Sequence, residues 1–327
     1  MIDWLQLFSN AATEIINPTT AAYALAALGL AVHFGYTGLL NFGQAGFMAL
    51  GAYGFAISTL TFNFPVWAAV AVSVGASILF ALILGIPTLR LRADYLAIVT
   101  IAAAEILRLT FTTNTFSSVT GSANGLSGYK GGFAALNPLA EGTYGFGPFS
   151  ANAYDTWLRI VAWAVVIIAA FFVWRLMKSP WGRVVKGIRE DEDAVRALGK
   201  NVFFYKMQSL VLGGLLGTLA GIIFILPRAV LPANYQTTLT FFIYTILLLG
   251  GAATIFGPII GSMIFWVLLS FVSGFISRAV AVGWLPFIDN VQAGQLRFII
   301  VGLALMLIVI FRPQGIFGNK KELAFVK

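Results

Sequence analysis

The chain has 327 residues, 59% of them hydrophobic and only 10% charged, with a mean hydropathy of +0.91. Soluble domains carry about 25% charged residues, so a water-soluble globule is excluded and a polytopic membrane protein is indicated. The absence of cysteine and the single histidine exclude disulfides, thiolate or histidine-cluster metal sites and cysteine nucleophiles, while the net charge of +8 fits the basic excess of cytoplasmic loops better than nucleic-acid binding.

Residues 1–17 carry Asp3 and Glu14 and no basic residue, so they lack the positive start of a secretory signal. Trp4, Leu5, Leu7, Phe8, Ala11, Ile15 and Ile16 form a ragged apolar stripe that predicts a short interfacial helix. A single transmembrane domain is expected over 18–317, followed by a tail at 318–327. A helix needs roughly 20 apolar residues to cross a bilayer. Apolar runs predict nine spans, at about 20–36, 44–61, 66–87, 94–112, 157–177, 204–226, 239–253, 256–277 and 296–312, in an all-α polytopic fold. The charge-free run Leu239–Ser277 is too long for one span; Gly250-Gly251 and Phe256-Gly257-Pro258 are where it folds back.

The basic residues orient these spans. Arg90, Arg92, the eight from Arg175 to Lys206, Arg312, Lys320, Lys321 and Lys327 fall on one side, which is expected to be cytoplasmic. Lys130, Arg159, Arg228, Arg278 and Arg297 fall on the other, and Arg108 lies inside a span. The N-terminus is then outside and the C-terminus inside. The loop 113–156 is external, with the Gly- and Ser-rich core Thr120–Gly132; it reads either as a mobile surface loop or as a docking or gating element.

Between Ser179 and Asn201 lie 9 of the 32 charged residues, within a cytoplasmic loop at 178–203. Ser179-Pro180 predicts a helix start with serine as cap. Val184, Ile188, Val195 and Leu198 recur at helical spacing, and Gly199 supplies a stop. The acidic run Glu190–Asp193 interrupts the stripe and favours two short helices over one. Such a segment reads as a rigid knob offered to a soluble partner, the plainer alternative being a solvated loop.

Within the membrane, Glu105 and Arg108 sit three apart on one helical face, either as an intrahelical ion pair that fixes packing or as part of a path. Asn41 and Gln44 lie in a Gly-rich break, Leu40–Gly46, and a second glycine-broken segment runs from Gly250 to Gly261. Broken helices are tolerated in membranes where backbone lines a cavity, so Asn41 and Gln44 are expected to present amides to one, with Phe42, Phe47 and Met48 beside an apolar substrate. Tight packing through small residues is the alternative. No Walker A pattern occurs and no Ser/His/Asp constellation is available.

Several of these segments together resemble permeases of branched-chain amino acid ABC importers (the LivM/LivH family, closer to LivM). They are Gly38–Tyr53, Leu89–Thr100, Glu105-Ile-Leu-Arg108, Thr120–Gly125, Ser179-Pro-Trp-Gly-Arg183, Gly187-Ile-Arg-Glu-Asp-Glu192, Ala197-Leu-Gly199, Leu249–Gly261 and Arg312–Phe317. The segments run in family order; position 44 is Gln where many relatives carry His. The resemblance implies a multi-pass subunit of a bacterial or archaeal cytoplasmic membrane that forms half of a translocation pathway. Its implied partners are a second related permease, two ATP-binding subunits and an extracytoplasmic substrate-binding protein. ATP and Mg are then held by the partner subunits, with no cofactor in this chain.

On that basis Arg183, Val184, Ile188, Arg189, Glu190, Asp191, Val195 and Gly199 are the expected ATPase-coupling residues. Asn41, Phe42, Gln44, Glu105 and Arg108 are expected on the pathway, and Lys130, Arg159, Arg228 and Arg278 at the docking face for the binding protein. Branched-chain amino acids are the implied cargo, with urea or short amides as alternatives. A stand-alone gradient-driven carrier and a non-transporting scaffold are the competing classes.

Overall fold

The computed structural model describes residues 3–89, 93–284, 290–312 and 314–318; Arg90, Arg92, Lys320, Lys321 and Lys327 lie outside them. The N-terminal helix α1 (Trp4–Thr13) is capped by Asp3, whose carboxylate accepts from the Gln6 amide at 3.1 Å. The membrane helices are α2 (Pro18–Leu30), continued by a π-helical turn at Ala31–Tyr36, α3 (Gln44–Leu60), α4 (Val66–Thr88) and α5 (Ala93–Thr112). After single turns α6 (Ser117–Thr120) and α7 (Gly131–Ala134), and the antiparallel pair β1 (Thr143–Tyr144) and β2 (Ala151–Asn152), comes α8 (Ala153–Lys178). Two short helices, α9 (Pro180–Glu190) and α10 (Glu192–Ala197), precede α11 (Val202–Ile225), α12 (Thr237–Gly250), α13 (Phe256–Ala281) and α14 (Asn290–Phe311).

Each of the nine apolar segments expected from the sequence is helical. Five of the described helices are long and apolar enough to cross a bilayer by themselves: Val66–Thr88, Tyr95–Thr112, Ala153–Lys178, Val202–Ile225 and Phe256–Ala281. Trp4–Ile16 and Pro18–Tyr36 form a pair bent by 47°. Helix α3 has 17 residues and α12 has 14, and each meets a glycine-containing break at one end. The second break falls at 251–255, and Phe256-Gly257-Pro258 opens α13 instead of forming the turn, since proline is tolerated in a first helical turn.

The centre of the fold is α2 and α11. Every residue of α2 is buried, and α11 packs on both α2 and α3. Glycine makes this approach possible: a Cβ on Gly213 would sit 2.3 Å from His33 Nε2, and one on Gly221 would sit 2.0 Å from the Met48 carbonyl. Helix α1 lies on α13, with Leu7 and Ala11 buried beneath it and Phe8 against Phe271 at 5.2 Å. Trp4, Leu5 and Phe8 stay exposed, as an interfacial helix requires.

The contacts sort the ends of the helices into two groups. At one end, Trp163 Nε1 donates to the Ile16 carbonyl (3.1 Å), Tyr154 to Leu226 (2.9 Å) and Tyr129 to Ile225 (3.0 Å). Leu126 and Val230 exchange backbone hydrogen bonds there, so the Gly/Ser-rich core of the 113–156 loop is pinned to the 226–236 connection. At the other end the knob α9–α10, the π-turn, the 251–255 break and the segment after α14 come together, the last through Ile316 and Phe317 amides on the Leu249 and Gly250 carbonyls.

Candidate functional site

The knob is two helices, as the acidic interruption predicts. Asp191 ends α9 and caps α10, its Oδ1 accepting from the amides of Asp193 and Ala194 at 3.0 Å each. Gly199 adopts φ +77 and terminates the pair. Ser179 occupies the expected cap position, but its hydroxyl donates backward to the Leu176 carbonyl at 2.6 Å and so closes α8; Pro180 alone starts α9.

The coupling residues divide into an inward and an outward set. Ile188 is buried, together with Val185, which the apolar spacing had not singled out; Val184 and Val195 are half-buried, Val195 lying against Gly187. Ile188 therefore anchors the knob to its own chain and is not available as a contact for a partner. Helix α9 is turned so that Gly182, Val185 and Ile188 face the membrane helices. Arg189 is also turned inward, its Nη1 donating to the Gly35 carbonyl on the π-turn. Trp181 Nε1 donates to Gln208 Oε1 at 2.7 Å, and Glu192 pairs with Lys206 of α11 as well as with Arg196 (2.8 Å).

Arg183, Glu190, Asp191 and Gly199 are exposed, as is Leu198, 78% of whose surface is open at the tip. Leu198, a member of the apolar stripe by its spacing, is thus an exposed apolar side chain at the end of the knob. Its position next to the stop glycine was the available signal. A cleft of about 300 Å³ separates the knob from the membrane helices, floored by Leu39, Leu89, Leu96 and Ile188 and rimmed by Arg189, Glu190, Glu192 and Lys206.

The first helix break is a closed hydrogen-bond network. His33, Asn41 and Gln44 are all fully buried. His33 Nε2 lies 3.0 Å from the Leu210 carbonyl, which can only accept, so Nε2 carries the proton. Nδ1 then accepts from Asn41 Nδ2 at 3.0 Å, while Asn41 Oδ1 accepts from the Gly43 amide at 2.8 Å. Gln44 Nε2 donates to the carbonyls of Ala26 (3.3 Å) and Gly213 (3.2 Å). The backbone of the break is satisfied by side chains as well: Phe42 N donates to Thr100 Oγ1 and Ala45 N to Thr240 Oγ1, each at 3.0 Å, and the Asn41 carbonyl accepts from Tyr244 at 3.0 Å.

Unpaired backbone groups cost several kcal/mol in hydrocarbon, and here neighbouring helices supply every one of these partners. The expectation that Asn41 and Gln44 present amides to a cavity is therefore corrected: both amides are spent inside the chain, holding the break. Phe42 is half-buried, with its ring stacked on Tyr244 at 4.5 Å. Sequence reading left His33 unassigned; its sequence separation of eight from Asn41 gave no sign that the two meet.

Glu105 and Arg108 form the expected intrahelical pair. Arg108 Nε lies 3.0 Å from both carboxylate oxygens and Nη2 lies 2.5 Å from Oε1. The guanidinium holds the Glu105 pair on the outward side of α5, with 37% of the Glu105 side chain and 18% of the Arg108 side chain exposed.

Of the four expected docking cations, three have structural duties. Arg228 donates to Thr19 Oγ1 and lies 4.2 Å from the Phe224 ring centre, half-buried, its pKa lowered by that burial. Arg159 Nη1 donates to the Phe149 carbonyl at 2.9 Å. Arg278 donates to the Asp3 carbonyl and to Gln6 Oε1 (2.7 Å), tying α1 to α13. These three staple the chain's own parts, because a cation near apolar surface is stabilised by the nearest carbonyls. Lys130 is half-exposed on the pinned loop. Among the described residues no cluster of three metal-ligating side chains occurs.

Comparison with known proteins gives this architecture a family. The sequence profile of the branched-chain amino acid transport system permease component matches residues 14–310. The high-affinity branched-chain amino acid transport system permease protein LivM of Salmonella typhimurium is 29% identical, over 96% of this chain and 72% of that protein. A probable branched-chain amino acid transport permease LivM of Methanocaldococcus jannaschii is 27% identical, covering 91% of both chains. The autoinducer 2 import system permease LsrC of Escherichia coli is 26% identical over 46% of this chain and 42% of that protein. The chain therefore belongs to the family of permease components of branched-chain amino acid transport systems, multi-pass membrane proteins of the ABC transporter class.

Proposed function

We propose that this chain is one permease subunit of an ATP-driven importer for branched-chain amino acids, supplying half of the translocation pathway and coupling to separate ATPase subunits. The observation that carries the reading is the knob: a charged pair of short helices with an exposed apolar tip at Leu198, braced from behind by Ile188, Arg189 and the Glu192–Lys206 pair. Rigid backing and an open tip suit a lever pressed by a soluble partner. The basic bias of its end of the molecule supports a cytoplasmic placement, with the N-terminus outside. Arg183, Glu190 and Leu198 then meet the ATPase, and ATP and Mg are bound there.

At the opposite end the pinned loop with Lys130 is the proposed seat of a substrate-binding protein. Phe42 and the Glu105–Arg108 face are the proposed pathway elements. A gradient-driven carrier is disfavoured because the carboxylate of Glu105 is neutralised by Arg108 within one helix turn, and because a lone carrier has no use for a charged cytoplasmic knob. The test is affinity purification of the tagged chain from its own membranes. Co-purification of an ATP-binding subunit, and uptake of leucine, isoleucine or valine that requires ATP and a binding protein, is the expected result. Gradient-driven uptake by the purified chain alone overturns the reading, and capture of urea or a short amide by the binding protein replaces the cargo.

A further inference from the structure

Several helices, α4 and α14 among them, turn apolar faces away from this chain's core, and the exposed faces of α8 and α5 differ in kind. Helix α8 exposes Ile160, Ile167, Ile168, Phe171 and Phe172, bulky apolar side chains with no charge between Arg159 and Arg175. That face is suited to lipid. Among the five described helices that are long and apolar enough to span by themselves, α5 is the least enclosed, with 17% of Tyr95–Thr112 buried. Its inward side is Leu96, Thr100 and Ala104. Its outward side runs Ile98, Ala102, Ile106 and Leu109, and beside Ile106 stands the partly exposed Glu105–Arg108 pair.

At 1.5 Å per residue, Glu105 lies about 15 Å from Tyr95 and about 10 Å from Thr112, well inside the hydrocarbon. Arg108 does not reach outward to the headgroups, as a lone arginine near a helix end does; it folds back one turn to Glu105. The pair satisfies only part of itself. Of the five guanidinium N–H groups two point at the carboxylate, Nε lying 3.0 Å from both oxygens and Nη2 bonding Oε1, so three N–H groups make no bond to it. Ionised groups in contact with lipid tails cost several kcal/mol and face protein or water instead.

We infer that the outward face of α5 is the seam with the second permease subunit, which lays a helix along Ala102 and Ile106 and brings polar groups to Glu105 and Arg108. Ala102, small and exposed on that face, allows the close approach such a helix needs. The remaining guanidinium donors call for acceptors, so the partner's contribution is a side-chain oxygen or the carbonyls of an opened stretch of helical backbone. The break at Leu40–Gly46, enclosed as it is, is not that seam. The inference rests on the permease-pair reading and names the surface that reading leaves open.

Photo-crosslinking separates the two. p-Benzoyl-phenylalanine is introduced at position 106 on α5 and at position 168 on α8, and the tagged importer is irradiated in native membranes. The expected result is an adduct between this chain and a second permease from position 106, at least tenfold above that from position 168. Adducts from 168 and none from 106, with the second permease still co-purifying, overturn the seam and leave the permease-pair reading intact. No second permease in the purified assembly overturns both. A double replacement, Glu105→Gln with Arg108→Gln, keeps size and helix propensity while removing the charges. It is expected to reduce recovery of the second permease on the tag at least fivefold while the variant chain itself is recovered at the normal level; undiminished recovery overturns the role of the ion pair.

Discussion

The guanidinium of Arg189, in the last turn of α9, donates to the carbonyl of Gly35 on the π-turn that ends the first membrane helix. Gly35 in turn rests on the second break: a Cβ there would fall 1.8 Å from the Ala252 carbonyl oxygen. One side chain of the knob thus reaches the point where the π-turn touches the second glycine-broken segment. A π-turn is a frequent mark of function, and here it places a carbonyl within reach of the lever.

Arg189→Met is therefore expected to leave assembly and basal ATP hydrolysis in place and to lower transport at least tenfold. A charged hydrogen bond is worth about 1.5–3 kcal/mol, enough to weaken the mechanical link without unfolding the chain. Arg189→Lys retains a donor and should recover part of the loss. The measurement is the ratio of substrate moved to ATP hydrolysed in proteoliposomes. An unchanged ratio for Arg189→Met removes Arg189 from the coupling route.

Leu198→Asp tests the outward set. The side chain is exposed, so the folded chain should lose less than about 0.5 kcal/mol, while the apolar contact with an ATPase proposed above would be replaced by a charge. Loss of ATPase subunits on purification, with an unaltered melting temperature of the permease, is expected. Asp191→Ala is a poorer probe of that contact: the lost cap costs about 1 kcal/mol of helix stability and disturbs α10 itself. Retention of the ATPase by Leu198→Asp would place the contact elsewhere on the knob.

Asn41→Leu removes the donor to His33 Nδ1 and the acceptor for the Gly43 amide together. Each buried group left unpaired costs about 1–3 kcal/mol, so the variant should melt earlier in detergent and lose transport in parallel. Gly213→Val, which drives a side chain into His33, should show the same pattern more severely. Lost transport at full thermal stability in Asn41→Leu would return Asn41 to the pathway.

Arg278→Ala should release α1 from α13 while leaving the membrane helices intact, because its bonds run to Asp3 and Gln6 alone among the described contacts. Hydrogen exchange of residues 4–13 should rise at least tenfold with no change elsewhere. Exchange that stays slow would mean that Leu7 and Ala11 hold α1 without help.

A reporter fused after Phe317 should read cytoplasmic and one inserted near Gly131 extracytoplasmic. These sites lie in the two opposite groups of helix ends, so an identical reading from both would contradict the fold as well as the orientation.

Composition and periodicity alone establish that this is a helical membrane protein and where its apolar segments lie; they favour a split of the charged island at Glu190–Asp193 and offer an ion pair of Glu105 with Arg108 as one of two readings. All of these are local: an apolar run, an interrupted stripe or an i,i+3 spacing needs no partner from elsewhere in the chain. The ordered segments from Gly38 to Phe317 likewise carry the family resemblance. What the tertiary structure decided is which way each polar group faces. The His33–Leu210 contact, the Arg189–Gly35 link, and the staples made by Arg228 and Arg278 all depend on segments distant in sequence brought within 3 Å or so of one another. In a membrane a polar group seeks the nearest available partner because lipid offers none, and only the packed fold says which partner is nearest.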